Sequence, residues 1–154
     1  MNSKLTAAAG EYYVGYKLSC LGYIAGFVRA GVPAADLLAS TIDGGRTVAI
    51  QVKTTFWAER TRGRGDAKKP AELQFPLGHR AVEDAAPNLI FCFVDLRGYL
   101  PNVSPDVYVI PAKVILKDYK GINVRQWSYF RLHRPIDYMA AYKNNWKPIQ
   151  TALS

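Results

Sequence analysis

The chain has 154 residues, 49% of them hydrophobic, and a formal net charge of +8. That is enough chain for one hydrophobic core, so residues 1–154 read as a single domain whose positive charge points to a polyanionic partner. No long apolar run marks a membrane span, and Met1-Asn2-Ser3-Lys4 is not followed by the hydrophobic block of a secretion signal. The expectation is a cytoplasmic protein with no membrane partner.

Leu5 to Leu21 predicts a helix ended by Gly22, with Ala7, Glu11, Val14, Leu18 and Leu21 along one face. Glu11 is the only charge on that apolar face. An ionised carboxylate is rarely buried alone, so Glu11 is expected to reach a metal ion, Lys53 or backbone donors, a local salt bridge being the plainer alternative. Cys20 lies in this stretch and Cys92 in the run Leu89 to Val94; both read as buried thiols, without zinc-ligand spacing.

Gly22 to Val28 predicts a strand. Two further apolar segments, Ala35 to Ser40 and Val48 to Val52, flank Asp43-Gly44-Gly45-Arg46, which suits a tight turn, and together they predict a β-hairpin. A two-residue Gly44-Gly45 loop pairs Asp43 with Arg46, Ile42 with Thr47 and Leu38 with Gln51, and brings Asp36 opposite Lys53. One face then carries Asp36, Gln51 and Lys53, while Val48, Ile50 and Val52 turn to the core. A one-residue slip separates Asp36 from the other two unless a bulge restores the register. Read singly, Asp36 after Pro33-Ala34-Ala35 also suits turn closure, and Gln51 and Lys53 suit the solvated side of an amphipathic strand.

The segment from Glu59 to Pro70 is poor in apolar residues and rich in charge, and residues 57–70 predict a basic mobile loop between a motif-bearing part, 1–56, and a remaining part, 71–154. Its Arg60, Arg62, Arg64, Lys68 and Lys69 are candidate DNA contacts; the alternative is a disordered connector whose charge aids solubility. Ala71 to Phe75 predicts a strand, Leu77 to Ala85 a helix, Asn88 to Leu96 a buried central strand and Asp106 to Ile110 an edge strand. Pro111 and Gly121 frame a helix, Val124 to Leu132 predicts a strand and Pro135 to Tyr142 a final helix. From Lys113 to Lys147 eight basic residues stand against two acidic ones, interleaved with aromatics that serve either stacking on nucleic acid or core packing. His79 and His133 lack the partners of a metal or nucleophile site and read as structural or surface groups.

An acid, an amide oxygen and a lysine on one strand face suit phosphodiester hydrolysis. Asp36, Gln51 and the Val52 backbone carbonyl offer oxygen ligands for Mg²⁺ or Mn²⁺, and Lys53 stabilises charge on the phosphate. Asp36, fourteen intervening residues and then Gln51-X-Lys53 at the end of a hairpin resembles the PD-(D/E)XK nuclease superfamily, in the branch where Gln replaces the second acid. That branch is similar to intron-encoded homing endonucleases, and the small basic format to junction-resolvase-like nucleases. The resemblance extends to Glu11, since members often carry a first-helix acid beside the metal.

It implies an α/β fold, a mixed central β-sheet flanked by helices in a restriction-endonuclease-like core. It also implies a metal-dependent DNA endonuclease with Asp36, Gln51, Lys53 and Glu11 as catalytic residues; Asp36, Gln51, the Val52 carbonyl and Glu11 hold Mg²⁺ or Mn²⁺. Cleavage of two strands needs two sites, so a homodimer or higher symmetric oligomer is expected. Because neutral Gln51 binds a cation less strongly than a carboxylate, a catalytically inactive nuclease-fold DNA-binding module is the alternative; a general RNA-binding basic protein ranks third.

Overall fold

A computed structural model describes residues 2–29 and 35–154; the proposed turn at Pro33-Ala34 lies outside them. The chain runs α1 (Ser3–Cys20), β1 (Ile24–Phe27), β2 (Leu37–Ser40), β3 (Thr47–Thr55), β4 (Glu59–Arg62), β5 (Lys69–Pro76), α2 (Arg80–Glu83) and β6 (Ile90–Asp95). It continues through β7 (Asp106–Pro111), α3 (Ala112–Leu116), β8 (Arg131–Pro135), α4 (Ile136–Ala140) and α5 (Lys147–Leu153), with short 3-10 turns between. Five strands form a mixed sheet in the order β1-β2-β3-β6-β7, antiparallel except for the parallel β3–β6 pair, and β4-β5-β8 form a second, antiparallel sheet. This is the expected α/β architecture, a mixed central sheet flanked by helices.

Strand β6 is apolar at every position but its last and is buried along its whole length, which suits a strand covered on both faces. Its alternate side chains feed two separate cores. Cys92 and Val94 join Val48, Ile50 and Val52 of β3 under Val14 and Leu18 of α1 and Ile149 and Leu153 of α5. Phe91 and Phe93 join Leu73 and Phe75 of β5, Leu132 of β8, Ile115 of α3 and Met139 of α4.

Helix α1 starts at Asn2, whose side chain accepts the Lys4 N–H at 2.9 Å, an ordinary N-cap. Its buried positions are Gly10, Val14, Gly15 and Leu18; Ala7 and Leu21, expected on the inner face, are exposed. Glycine explains the rotation. A Cβ on Gly10 would stand 1.9 Å from Thr54 Oγ1, so α1 lies against the end of β3 at a distance that only glycine permits. Cys20 is exposed rather than buried as expected, because, two residues past buried Leu18, it falls on the opposite side of the helix; Cys92 is buried.

Three other expectations shift. Residues 57–70 are not an irregular loop: Glu59–Arg62 and Lys69–Pro76 pair as a hairpin carrying a bulge at Arg60/Thr61. The charged strand is held because its partner β5 buries Leu73 and Phe75, so tertiary packing overrides a polar sequence. Val124 to Leu132 is a 3-10 turn at Val124–Gln126 followed by a later strand, β8. After Pro135 the helix is short, and a further helix, α5, follows it.

Candidate functional site

The β2–β3 hairpin determines where Asp36 falls. Leu37 pairs with Ile50, Leu38 with Ala49, Ala39 with Val48 and Ser40 with Thr47, two residues away from the register of a Gly44-Gly45 turn. The loop is longer because Thr41, not Asp43, closes it: the Thr41 N–H donates to the Arg46 carbonyl at 3.1 Å and the Gly44 N–H to the Thr41 carbonyl at 2.9 Å. Asp43 Oδ1 also accepts from Thr41 Oγ1 (2.5 Å) and from the Gly45 N–H (3.0 Å), an Asx-type turn that competes with the tighter one. Gly44 takes a φ of 71°, which favours glycine.

A shift of two keeps every side chain on its face. Asp36, just before β2, stands level with Ile50 to Val52 instead of opposite Lys53. The Asp36 N–H donates to the Ile50 carbonyl at 2.9 Å. Asp36 and Leu37 thus both stand against Ile50, the two-against-one arrangement of a bulge. The side chain then reaches forward, and Oδ2 accepts the Val52 N–H at 2.7 Å.

The pairing of β2 with β3 stops at Ile50, whereas β3 runs on to Thr55. The candidate groups lie about these last residues of β3, a place we call the notch, or on α1 where it meets Thr54. Val52 points its N–H into the notch toward Asp36, and strand geometry turns its carbonyl the same way. Half-buried Glu11 reaches the notch from α1, next to the tight Gly10–Thr54 contact. Burial and the neighbouring Asp36 charge both raise its pKa above the usual carboxylate range. Burial lowers the Lys53 pKa, and the Asp36 carboxylate partly offsets that. Gln51 Oε1 is buried with no hydrogen-bond donor among the described residues. Glu11 and Lys53 are thus each close enough to Asp36 for their charges to interact, with Gln51 on the strand between.

Orphaned acceptors are costly in a native structure. Three side-chain oxygen donors, one of them without a partner, fit a hard cation, which takes carboxylate and carbonyl oxygens and keeps waters. Gln51 is the member whose environment says most. The acid count is low, however: among the described residues no group of three His, Cys, Asp or Glu is placed to share an ion.

The basic residues divide. Arg60 is internally occupied, its Nε donating to Gln74 Oε1 and its NH1 to the Trp57 and Glu59 carbonyls, each at 2.9 Å, so it has little freedom to grip a ligand. Arg62 pairs with Glu72 at 3.1 Å on the surface. Arg64, Lys68 and Lys69 are exposed and make no ion pair among the described residues.

Sequence reasoning missed a second charged cluster. Asp95, at the end of β6, is wholly buried, and Oδ1 accepts the Arg97 N–H at 2.9 Å. Arg97 lies 3.7 Å from Asp95 and 3.9 Å from Asp106, and Lys143 lies 2.9 Å from Asp106. A single acid closing an apolar strand was the available signal.

The fold is that of a restriction-endonuclease-like core. It is similar to the solved structure of a bacterial homing endonuclease, I-Ssp6803I, with a TM-score of 0.57 at 12% identity over 97% of this chain and 93% of that one. No family model and no curated protein matches the chain.

Proposed function

We propose that the chain is a divalent-metal-dependent DNA endonuclease, with Asp36, Gln51, the Val52 carbonyl and Glu11 holding Mg²⁺ or Mn²⁺. Gln51 Oε1, buried without a donor among the described residues on the strand that Asp36 binds, supports this reading, because a cation would satisfy it. When bound, the ion supplies positive charge at the scissile phosphate and a more acidic water. Asp36 is oriented for its part by the Val52 N–H, which fixes one carboxylate oxygen and leaves the other for ligation. Lys53 orients the attacking water and offsets the negative charge that builds on the phosphate oxygens. Its lowered pKa makes the ammonium readier to give up a proton than a surface lysine. Glu11 completes the ligand set or holds a water of the ion. Two such sites in a homodimer or larger symmetric assembly suit cleavage of both strands.

The acid count supports a second reading more than the first. With no three-acid cluster among the described residues, a nuclease-fold module that binds DNA without cutting it accounts for the basic surface. Incubating purified protein with duplex, single-stranded and branched DNA, with Mg²⁺, Mn²⁺ or chelator, separates the two. Chelator-sensitive cleavage lost in Asp36→Ala establishes the nuclease. Salt-sensitive binding without cleavage of any substrate establishes the module.

A further inference from the structure

A 340 Å³ cavity lies between β8 and the segment before it, lined by Tyr119, Trp127, Tyr129, Phe130, Arg131, His133 and Arg134. Its volume is near the lower end of the range for small-ligand pockets, about 300–1,000 Å³. None of these residues belongs to the notch at Asp36.

The walls are flat and prepared. Phe130 is nearly parallel to Trp127, at 11° and 5.5 Å between ring centres, and to His79, at 15° and 5.9 Å, while Tyr119 meets it edge-on. The His79 ring nitrogen holds the Trp127 carbonyl at 2.7 Å, which pins the tryptophan backbone. This arrangement is more than leftover core. Phe130 is buried, but Trp127 is 40% exposed and Tyr129 is 82% exposed, so two aromatic rings stand in water. Exposing them costs free energy, and a ligand with a flat apolar face recovers it.

The rim supplies charge and hydrogen bonds. The Arg131 guanidinium lies 5.8 Å over the Tyr129 ring and reaches Gln74 Oε1 only at 3.5 Å; among the described residues no carboxylate pairs with it. Arg134, by contrast, is tied to Asp118 at 2.5 Å and serves as wall. His133 is exposed, and its ring nitrogen lies 2.9 Å from Gln74 Nε2, giving a polar edge beside the aromatic faces.

Stacking faces, a polar edge and the Arg131 guanidinium form the combination that recognises a nucleobase with its phosphate. We propose that this cavity takes an unpaired nucleobase of a bound DNA strand, stacked on Trp127 and Tyr129 with Arg131 at the adjoining phosphate. The inference rests on the nucleic-acid reading given above and extends it to the substrate class: DNA with a single-stranded or extrahelical nucleotide. The net charge of +8 favours a polyanion over an uncharged apolar partner.

The test is titration of the whole protein with a short oligothymidylate and with a blunt duplex, read by anisotropy of labelled DNA and by intrinsic tryptophan fluorescence. Tyr129→Ala removes a ring that carries little packing, and Tyr16→Ala removes an exposed ring from α1 as a control. Loss of one stacking partner is expected to weaken oligothymidylate binding by about fivefold or more. Tyr16→Ala should not weaken it, and the quenching of wild-type fluorescence should disappear in Trp127→Phe. Equal affinity of wild type and Tyr129→Ala for the oligothymidylate overturns the proposal, as does failure of the wild type to bind it at all. A change of oligomeric state in Tyr129→Ala, seen by sedimentation, overturns it in favour of a contact between copies. Cleavage is scored separately: single-strand binding sensitive to Tyr129 without metal-dependent cleavage leaves the cavity standing and removes the nuclease.

Discussion

Two charged clusters flank the same central sheet, and they differ in what they leave unfinished. At the end of β6, Asp95, Arg97, Asp106 and Lys143 neutralise one another through three ion pairs. In the notch beside β3, Glu11 and Lys53 make no ion pair among the described residues, Gln51 Oε1 has no donor, and burial moves both the Glu11 and Lys53 pKa values against their charged forms. The first cluster also leaves Asp95 Oδ2 without a hydrogen bond among the described residues, and burial raises the Asp95 pKa, but Arg97 stands 3.7 Å away to answer that charge, as in a structural anchor. The second leaves Glu11 and Lys53 without an ion pair among the described residues, a cost that the proposed cation and phosphate would relieve. What separates the two clusters is ion pairing, present in the first and absent from the second among the described residues.

The comparison breaks most visibly in activity. Asp36→Ala and Lys53→Ala should each lower the cleavage rate by at least about a hundredfold with folding intact, measured by single-turnover kinetics and circular dichroism. Asp95→Ala should do the reverse. Removing a buried acceptor strands the Arg97 N–H and leaves its guanidinium to Asp106 alone, so denaturant titration should show a loss of about 1–3 kcal/mol with the cleavage chemistry retained by the folded fraction.

Binding sharpens the comparison on the surface. Neutralising Arg64, Lys68 and Lys69 together should flatten the salt dependence of DNA affinity by about one unit for each phosphate that no longer meets a cation. Arg60→Gln should affect stability instead, because its guanidinium serves Gln74 and two backbone carbonyls. A salt slope unchanged in the triple variant would remove the β4–β5 hairpin from the interface.

The smallest effect concerns pH. A raised Glu11 pKa means that the folded, metal-free protein carries a penalty above that pKa, and the penalty fades as pH falls and the carboxyl protonates. For Lys53 the lowered pKa places the penalty below it, and the penalty fades as pH rises through it. Glu11→Gln and Lys53→Met should therefore both raise the melting temperature of the metal-free protein at neutral pH. The gain from Glu11→Gln should shrink toward acid, and that from Lys53→Met toward alkali. Scanning calorimetry across pH reads both.

Much of this was legible in the sequence, for reasons that differ by element. The alternation of Val48, Ile50 and Val52 fixed one face of β3, and with it the opposite face for Gln51 and Lys53; that survived a register error of two because strand periodicity is two. The loop length was not legible, since Thr41 and Asp43 compete with Gly44-Gly45 through side-chain hydrogen bonds that composition does not rank. The strand at Glu59–Arg62 was hidden because its stability comes from β5, not from its own residues. The inner face of α1 was misjudged because two glycines, apolar only by absence, carry the close approach.

Metal binding tests the account most directly. Calorimetric titration with Mn²⁺ should show binding by the wild type, little or none by Asp36→Ala and a tighter site in Gln51→Glu, because a third carboxylate strengthens an oxygen-ligand site. Equal affinity across the three proteins would contradict it, leaving Asp36 and Gln51 without a metal to hold.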